Sequence, residues 1–152
     1  MTNSSLQQYL TEEKIPLRLS CVSASGWPVV LSLWYLYEDG DLMCATPEAA
    51  RVVSYLKGES RCAFEVASDQ PPYCGVRGRA LASIEDDRGI EILERLLVRY
   101  LGSIDNKLAV QLLGRKEPEV AIRLKPLSYH TWNFSDRMAS SQTDGIQKYC
   151  PD

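Results

Sequence analysis

Nine almost unbroken apolar residues, Val29-Val30-Leu31-Ser32-Leu33-Trp34-Tyr35-Leu36-Tyr37, run into Glu38-Asp39-Gly40-Asp41, and a second short run, Leu42-Met43-Cys44-Ala45, follows. Asp-Gly between two such runs predicts a β-hairpin, because a two-residue turn needs positive φ at its centre. The long run is apolar at odd and even positions alike, and Trp34 and Tyr35 fall on opposite faces of an extended chain. It therefore predicts one strand from about Pro28 to Tyr37 that is covered on both sides. The hairpin delivers the chain to Thr46-Pro47, which has the residue types of an N-cap and first helical position, with Arg51 one turn in. A helix N-terminus beside a cation is a ready anion site.

The flanking sequence supplies more strands than helices. A short helix is expected over 4–14, stopped by Pro16. Period-two alternation predicts strands over Leu17–Val22, Arg61–Val66, Tyr73 to about Ile84, and Glu119–Leu124, the last continued by Leu127–Phe134 after Pro126. The second helix should run from Pro47 to about Lys57, with Val52, Val53 and Leu56 as its apolar stripe. Helical spacing returns at Ile90, Leu93, Leu96, Leu97 and Leu101, ending at Gly102, and Lys107–Leu113 suggests one more turn or two. Six or seven antiparallel strands with inserted helices most economically form a small barrel, which removes exposed edges. The apolar outward stripe of the long strand predicts a partner surface, most simply a second copy.

A chain of 152 residues is long enough for one domain with a real core. The expected division is a single domain over 1–138 and a polar flexible tail over 139–152. A net charge of −3 excludes the basic excess of a general nucleic-acid binder. No run approaches the ~20 apolar residues of a membrane helix, and the first residues lack a signal-peptide pattern. Cytoplasmic residence is the expectation. The five cysteines, Cys21, Cys44, Cys62, Cys74 and Cys150, are odd in number and contain no C-x-x-C pair, which argues against a disulfide framework or a zinc site. The single histidine, His130, gives no basis for a histidine-centred metal or nucleophile site.

The order of these pieces resembles the pyridoxamine 5′-phosphate oxidase-like flavin-binding split-barrel family. The resemblance rests on Gly26-Trp27-Pro28, the apolar strand with Trp34-Tyr35, the Asp39-Gly40 turn, Ala45-Thr46, and Arg51 on the following helix. It continues through Val76-Arg77-Gly78-Arg79-Ala80, Arg99-Tyr100-Leu101-Gly102, and Tyr129-His130-Thr131-Trp132-Asn133-Phe134, spanning roughly residues 10–138. It implies a mainly β, antiparallel split barrel and a homodimer with flavin at the subunit seam. It further implies that Val30, Leu31, Ser32, Leu33 and Trp34 lie along the isoalloxazine ring, and that Thr46 and Arg51 face the phosphate. Trp132 would lie near the flavin on the last strand.

Two positions of the family's phosphate motif depart. Ala50 replaces a serine and Val52 a lysine, leaving Arg77, Arg79 or Arg61 to compensate against an FMN phosphate of about −1.5 to −2 charges. The resemblance implies an FMN-binding oxidoreductase acting on a small organic substrate. The alternatives left open are an F420-dependent reductase, whose phosphodiester carries less charge, and a non-catalytic flavin-binding or sensing module. After Trp132 the chain has only Asn133-Phe134-Ser135-Asp136-Arg137, without the arginine- and histidine-bearing motif of the true oxidase. Pyridoxamine phosphate oxidation is therefore not expected. No catalytic side chain is assigned, since hydride chemistry belongs to the cofactor.

Overall fold

A computed structural model describes residues 3–138, so the expected tail over 139–152 lies outside the described residues. The elements are α1 (Asn3–Glu12), β1 (Leu17–Val22), β2 (Pro28–Leu33), β3 (Leu36–Glu38), β4 (Asp41–Pro47), α2 (Arg51–Gly58), β5 (Arg61–Ala67), β6 (Cys74–Glu85), α3 (Gly89–Leu101), α4 (Lys107–Leu113), β7 (Glu119–Asn133) and α5 (Ser135–Met138). All seven strands form one antiparallel sheet in the order β2-β1-β5-β6-β7-β4-β3.

The expected single strand over 28–37 is two strands, at opposite edges of the sheet. Only Trp34 and Tyr35 separate β2 from β3, so Leu33 and Leu36 stand at most about 11 Å apart. The two edges must therefore meet at that end, and the sheet coils into a barrel that stays split because β2 and β3 are not paired. Side-chain chemistry explains the break. Tyr35 is fully buried and its hydroxyl donates to the carbonyls of Leu10 (2.9 Å) and Glu13 (3.2 Å). Trp34 swings outward and stacks on Tyr100 of α3, with ring centroids 4.9 Å apart and planes 6° apart. Continued ladder pairing would forfeit both anchors.

Coverage on both faces falls on β4 rather than β2. Leu42 and Cys44 enter the barrel core, while Met43 packs outward with Ala121 against Ile92 and Leu96 of α3. Along β2 the odd residues Val29, Leu31 and Leu33 pack on the core, and Pro28, Val30 and Ser32 are exposed. The interior is filled by Leu17, Leu19, Phe64, Val66, Val76, Ile122 and Leu124, and is stoppered by Tyr9 and Leu10 of α1 and by Val52, Val53 and Leu56 of α2. Each such burial contributes roughly 1.5–3 kcal/mol. Helix α3 covers β4 and the first half of β7, and α4 backs it through Leu93, Leu97 and Ala109. Among the described residues no helix packs on the outward face of β2, β1, β5, β6 and the end of β7.

Local signals account for the joints. Asp39 (φ 51°) and Gly40 (φ 93°) form the two positive-φ positions of the hairpin turn, and Gly102 (φ 83°) ends α3 in the left-handed conformation. Pro126 does not interrupt β7. Leu127 is extruded as a bulge, since Ala80 pairs with Pro126 while Arg79 pairs with Ser128. Cys74 is disulfide-bonded, which its spacing did not suggest, whereas Cys21, Cys44 and Cys62 are buried free thiols. Among the described residues no helix is long and apolar enough to cross a membrane.

Candidate functional site

The first site lies at the split. A cleft of about 480 Å³ is lined by Val29 and Leu31 of β2, Thr46 of β4, and Ala50, Arg51, Val52 and Tyr55 at the start of α2. Its form follows from a helix that starts later than the sequence suggests. Thr46 and Pro47 stay in β4 because they pair with Val120 and Glu119 of β7. The Glu48 amide then donates to the Pro118 carbonyl (2.8 Å) and the Ala50 amide to the Pro47 carbonyl (2.9 Å), turning the chain. Helix α2 opens at Arg51 with extended Ala50 as its N-cap and no side chain capping it. Alanine cannot satisfy first-turn N–H groups, so the positive end of the helix is left open toward the cleft.

The polar groups there are few and unengaged. Arg51 is exposed and has no carboxylate partner among the described residues, and the buried Thr46 hydroxyl makes no hydrogen bond to another described residue. One guanidinium, one hydroxyl and an uncapped helix start suit a singly charged or singly anchored phosphate group. Val52 is buried among Val53, Leu56 and the β-strand core, so its position supplies packing and no second cation.

A second concavity, about 500 Å³, lies on the outward face of the sheet. It is lined by Arg18 and Ser20 of β1, Val30 of β2, Ala63, Phe64 and Glu65 of β5, Arg77, Gly78 and Arg79 of β6, and Ser128, Tyr129 and His130 of β7. Gly78 is required here, since a Cβ would collide with the Ser128 carbonyl and approach the Phe64 ring to 2.7 Å. Phe64 meets Tyr129 edge to face, centroids 5.9 Å apart. Burial, with Tyr37 and Asp41 nearby, pushes the Tyr129 phenol up to about 12, so it stays protonated.

The residues expected at a flavin site thus divide between places. Leu31, Thr46, Arg51 and Val52 come together in the cleft, whereas Val30 and Arg77 line the outer trough. Ser32 is exposed on the same outward face, opposite Arg18 in register. Leu33 turns inward onto the core and Trp34 is engaged with Tyr100. Trp132 lies beside the trough, across Gly75, with the Arg77 guanidinium 5.6 Å above its ring. Arg61 is held by Glu59 at 2.7 Å and lines neither concavity. Val29, Ala50 and Tyr55 of the cleft, and Arg18 and Tyr129 of the trough, were not expected at a site. Arg18 was findable, since alternation in Leu17–Val22 puts it outward with Ser20.

No profile of a known protein family matches the chain, and no curated protein matches it by sequence. Solved structures do resemble it. A conserved hypothetical protein from Mycobacterium tuberculosis superposes with a TM-score of 0.75 at 15% identity, over 97% of this chain and 93% of that one. An F420 reductase gives 0.65 at 20% identity, over 81% and 94%. A putative pyridoxamine 5′-phosphate oxidase from Listeria innocua gives 0.58 at 16% identity, over 84% and 92%. At these identities the likeness establishes the fold, which is the pyridoxamine 5′-phosphate oxidase-like split barrel.

Proposed function

We propose that this chain binds a flavin-type cofactor in the cleft between β2 and α2 and serves as an oxidoreductase for a small organic substrate. The observation that carries the reading is the conjunction at the split of an uncapped helix start, the unpaired Arg51 and the unbonded Thr46 hydroxyl. Solved neighbours of the same fold include an F420 reductase and an FAD-binding protein. In this reading Arg51 and the first-turn amides of α2 hold the phosphate, Thr46 donates or accepts beside it, and Val29 and Leu31 wall off the ring from water. The bound cofactor would supply two-electron redox chemistry, while the protein binds, orients and desolvates it.

Between FMN and F420, FMN is the first reading. The burial of Val52 favours F420 as the second, because one arginine balances a phosphodiester better than a phosphomonoester. We further propose a homodimer over the outward face, where Val30 (69% exposed) and Leu127 (60%) would be covered. Arg77 and Trp132 do not reach the cleft of their own chain. Residues 1–138 act as one domain in this reading.

The test is a titration of wild type and Arg51→Ala with FMN and with F420. Charge-assisted hydrogen bonds are worth about 1.5–3 kcal/mol, so Arg51→Ala should weaken the preferred cofactor by about tenfold to a hundredfold. Unchanged affinity removes Arg51 from the site.

A further inference from the structure

The outer trough shares no lining residue with the cleft, because β2 sends Val30 to one and Val29 and Leu31 to the other. We propose that this trough is a binding site for a small organic anion, a flat apolar body carrying a carboxylate, sulfonate or phosphate. The proposal does not rest on the flavin reading.

Three features carry it. The first is shape: a concavity of about 500 Å³ falls in the range of small-molecule sites, and Val30 and Ala63 offer apolar surface between the arginines.

The second is charge. Arg18, Arg77 and Arg79 line the trough against one carboxylate, Glu65. By contrast Arg88, Arg95 and Arg123 are bonded to Glu38, Glu85, Glu91 and Asp41, and Arg18 itself to Asp69. Arg77 and Arg79 have no carboxylate partner among the described residues.

The third is preorganisation. Each guanidinium is held from one side and free on another. Asp69 holds Arg18 through Nη2 at 2.8 Å, the Trp132 ring underlies Arg77, and Ser128 Oγ accepts from Arg79 Nε at 3.4 Å. The other terminal nitrogen of Arg18, Nη1, is buried with no hydrogen-bond partner. Restrained arginines lose little entropy on binding.

The probe is 8-anilinonaphthalene-1-sulfonate, whose fluorescence rises on entering an apolar site. Wild type should bind it saturably, with affinity falling as salt rises. Arg79→Ala and Arg18→Gln should each weaken it about tenfold, while Arg79→Lys retains part of the affinity and serves if the alanine variant fails to fold. Neutral N-phenyl-1-naphthylamine should bind more weakly and be indifferent to Arg79→Ala. Arg51→Ala should leave the sulfonate's affinity unchanged, which separates this site from the cleft: a protein that binds neither FMN nor F420 would still show the trough. Absence of saturable binding overturns the proposal. So does equal affinity in wild type, Arg79→Ala and Arg18→Gln, or a loss in Arg51→Ala that matches theirs.

Discussion

Removing the Tyr35 hydroxyl tests whether the residues between β2 and β3 are the pinned crossover of the barrel. Tyr35 is buried, and its hydroxyl donates to the carbonyls of Leu10 and Glu13 at the end of α1. Arg99 reaches the same place from α3. Its Nη2 donates to Leu10 (3.3 Å) and Glu13 (2.6 Å), its Nη1 donates to Thr11, and its guanidinium lies 5.3 Å from the Tyr35 ring. In Tyr35→Phe the two carbonyls keep Arg99 as donor, so the cost should be that of an ordinary lost hydrogen bond, about 1 kcal/mol. For a chain of this size that lowers Tm by about 2–4 °C. Arg99→Met removes three charge-assisted bonds and two cation–π contacts, the second with Tyr100 at 5.6 Å, and should cost on the order of 3–5 kcal/mol.

The double variant is decisive, because it leaves both shared carbonyls without a donor. Its cost should exceed the sum of the single costs by about 1 kcal/mol. Urea unfolding of the four proteins, read as midpoint shifts at constant slope, measures this directly. Strict additivity, or a Tyr35→Phe variant as stable as wild type, would refute the shared anchorage.

Two further outcomes follow from named side chains. Hydrogen bonds from Arg95 (2.6 Å) and Arg88 (3.1 Å) hold the Glu38 carboxyl below its ordinary value near 4.5. Stability from Glu38 is therefore complete above about pH 4.5 and lost as pH falls through the lowered folded value; Glu38→Gln should lower Tm at neutral pH and flatten the acid limb, and identical acid limbs in calorimetry would contradict this. Restoring a lysine in Val52→Lys should not tighten FMN, since that side chain faces the core. It should instead lower Tm by several degrees through burial of an unpaired ammonium, and tighter FMN binding with unchanged Tm would show that position 52 does face the phosphate.

Much of the fold is legible where one residue period holds over a whole element. Leu17–Val22 alternates because one face fills the barrel, and it forms β1 with the expected bounds. Leu93, Leu96 and Leu97 keep helical spacing because they and Ile92 are the buried face of α3, whereas Ile90 and Leu101 of the expected stripe are exposed; Gly102 stops the helix where expected. The errors fall where long-range partners override local pattern. Thr46-Pro47 has the chemistry of a helix start, but β7 offers it ladder bonds. The run at 28–37 has the composition of one strand, but its break depends on Leu10, Glu13 and Tyr100, which are remote in sequence. The same applies to the candidate sites. Thr46 and Arg51 are visible as types in the sequence, whereas the convergence of Arg18, Arg77 and Arg79 exists only once β1, β5 and β6 are in register.

The account turns on whether the Thr46–Arg51 cleft holds a flavin-type cofactor, and the visible absorbance spectrum of the full chain measures this most directly. The protein as purified, or after incubation with FMN or F420 and removal of excess, should carry the bands of one of them in near-stoichiometric amount, and Arg51→Ala should lose them. A wild-type protein that stays colourless through both incubations would contradict the central claim.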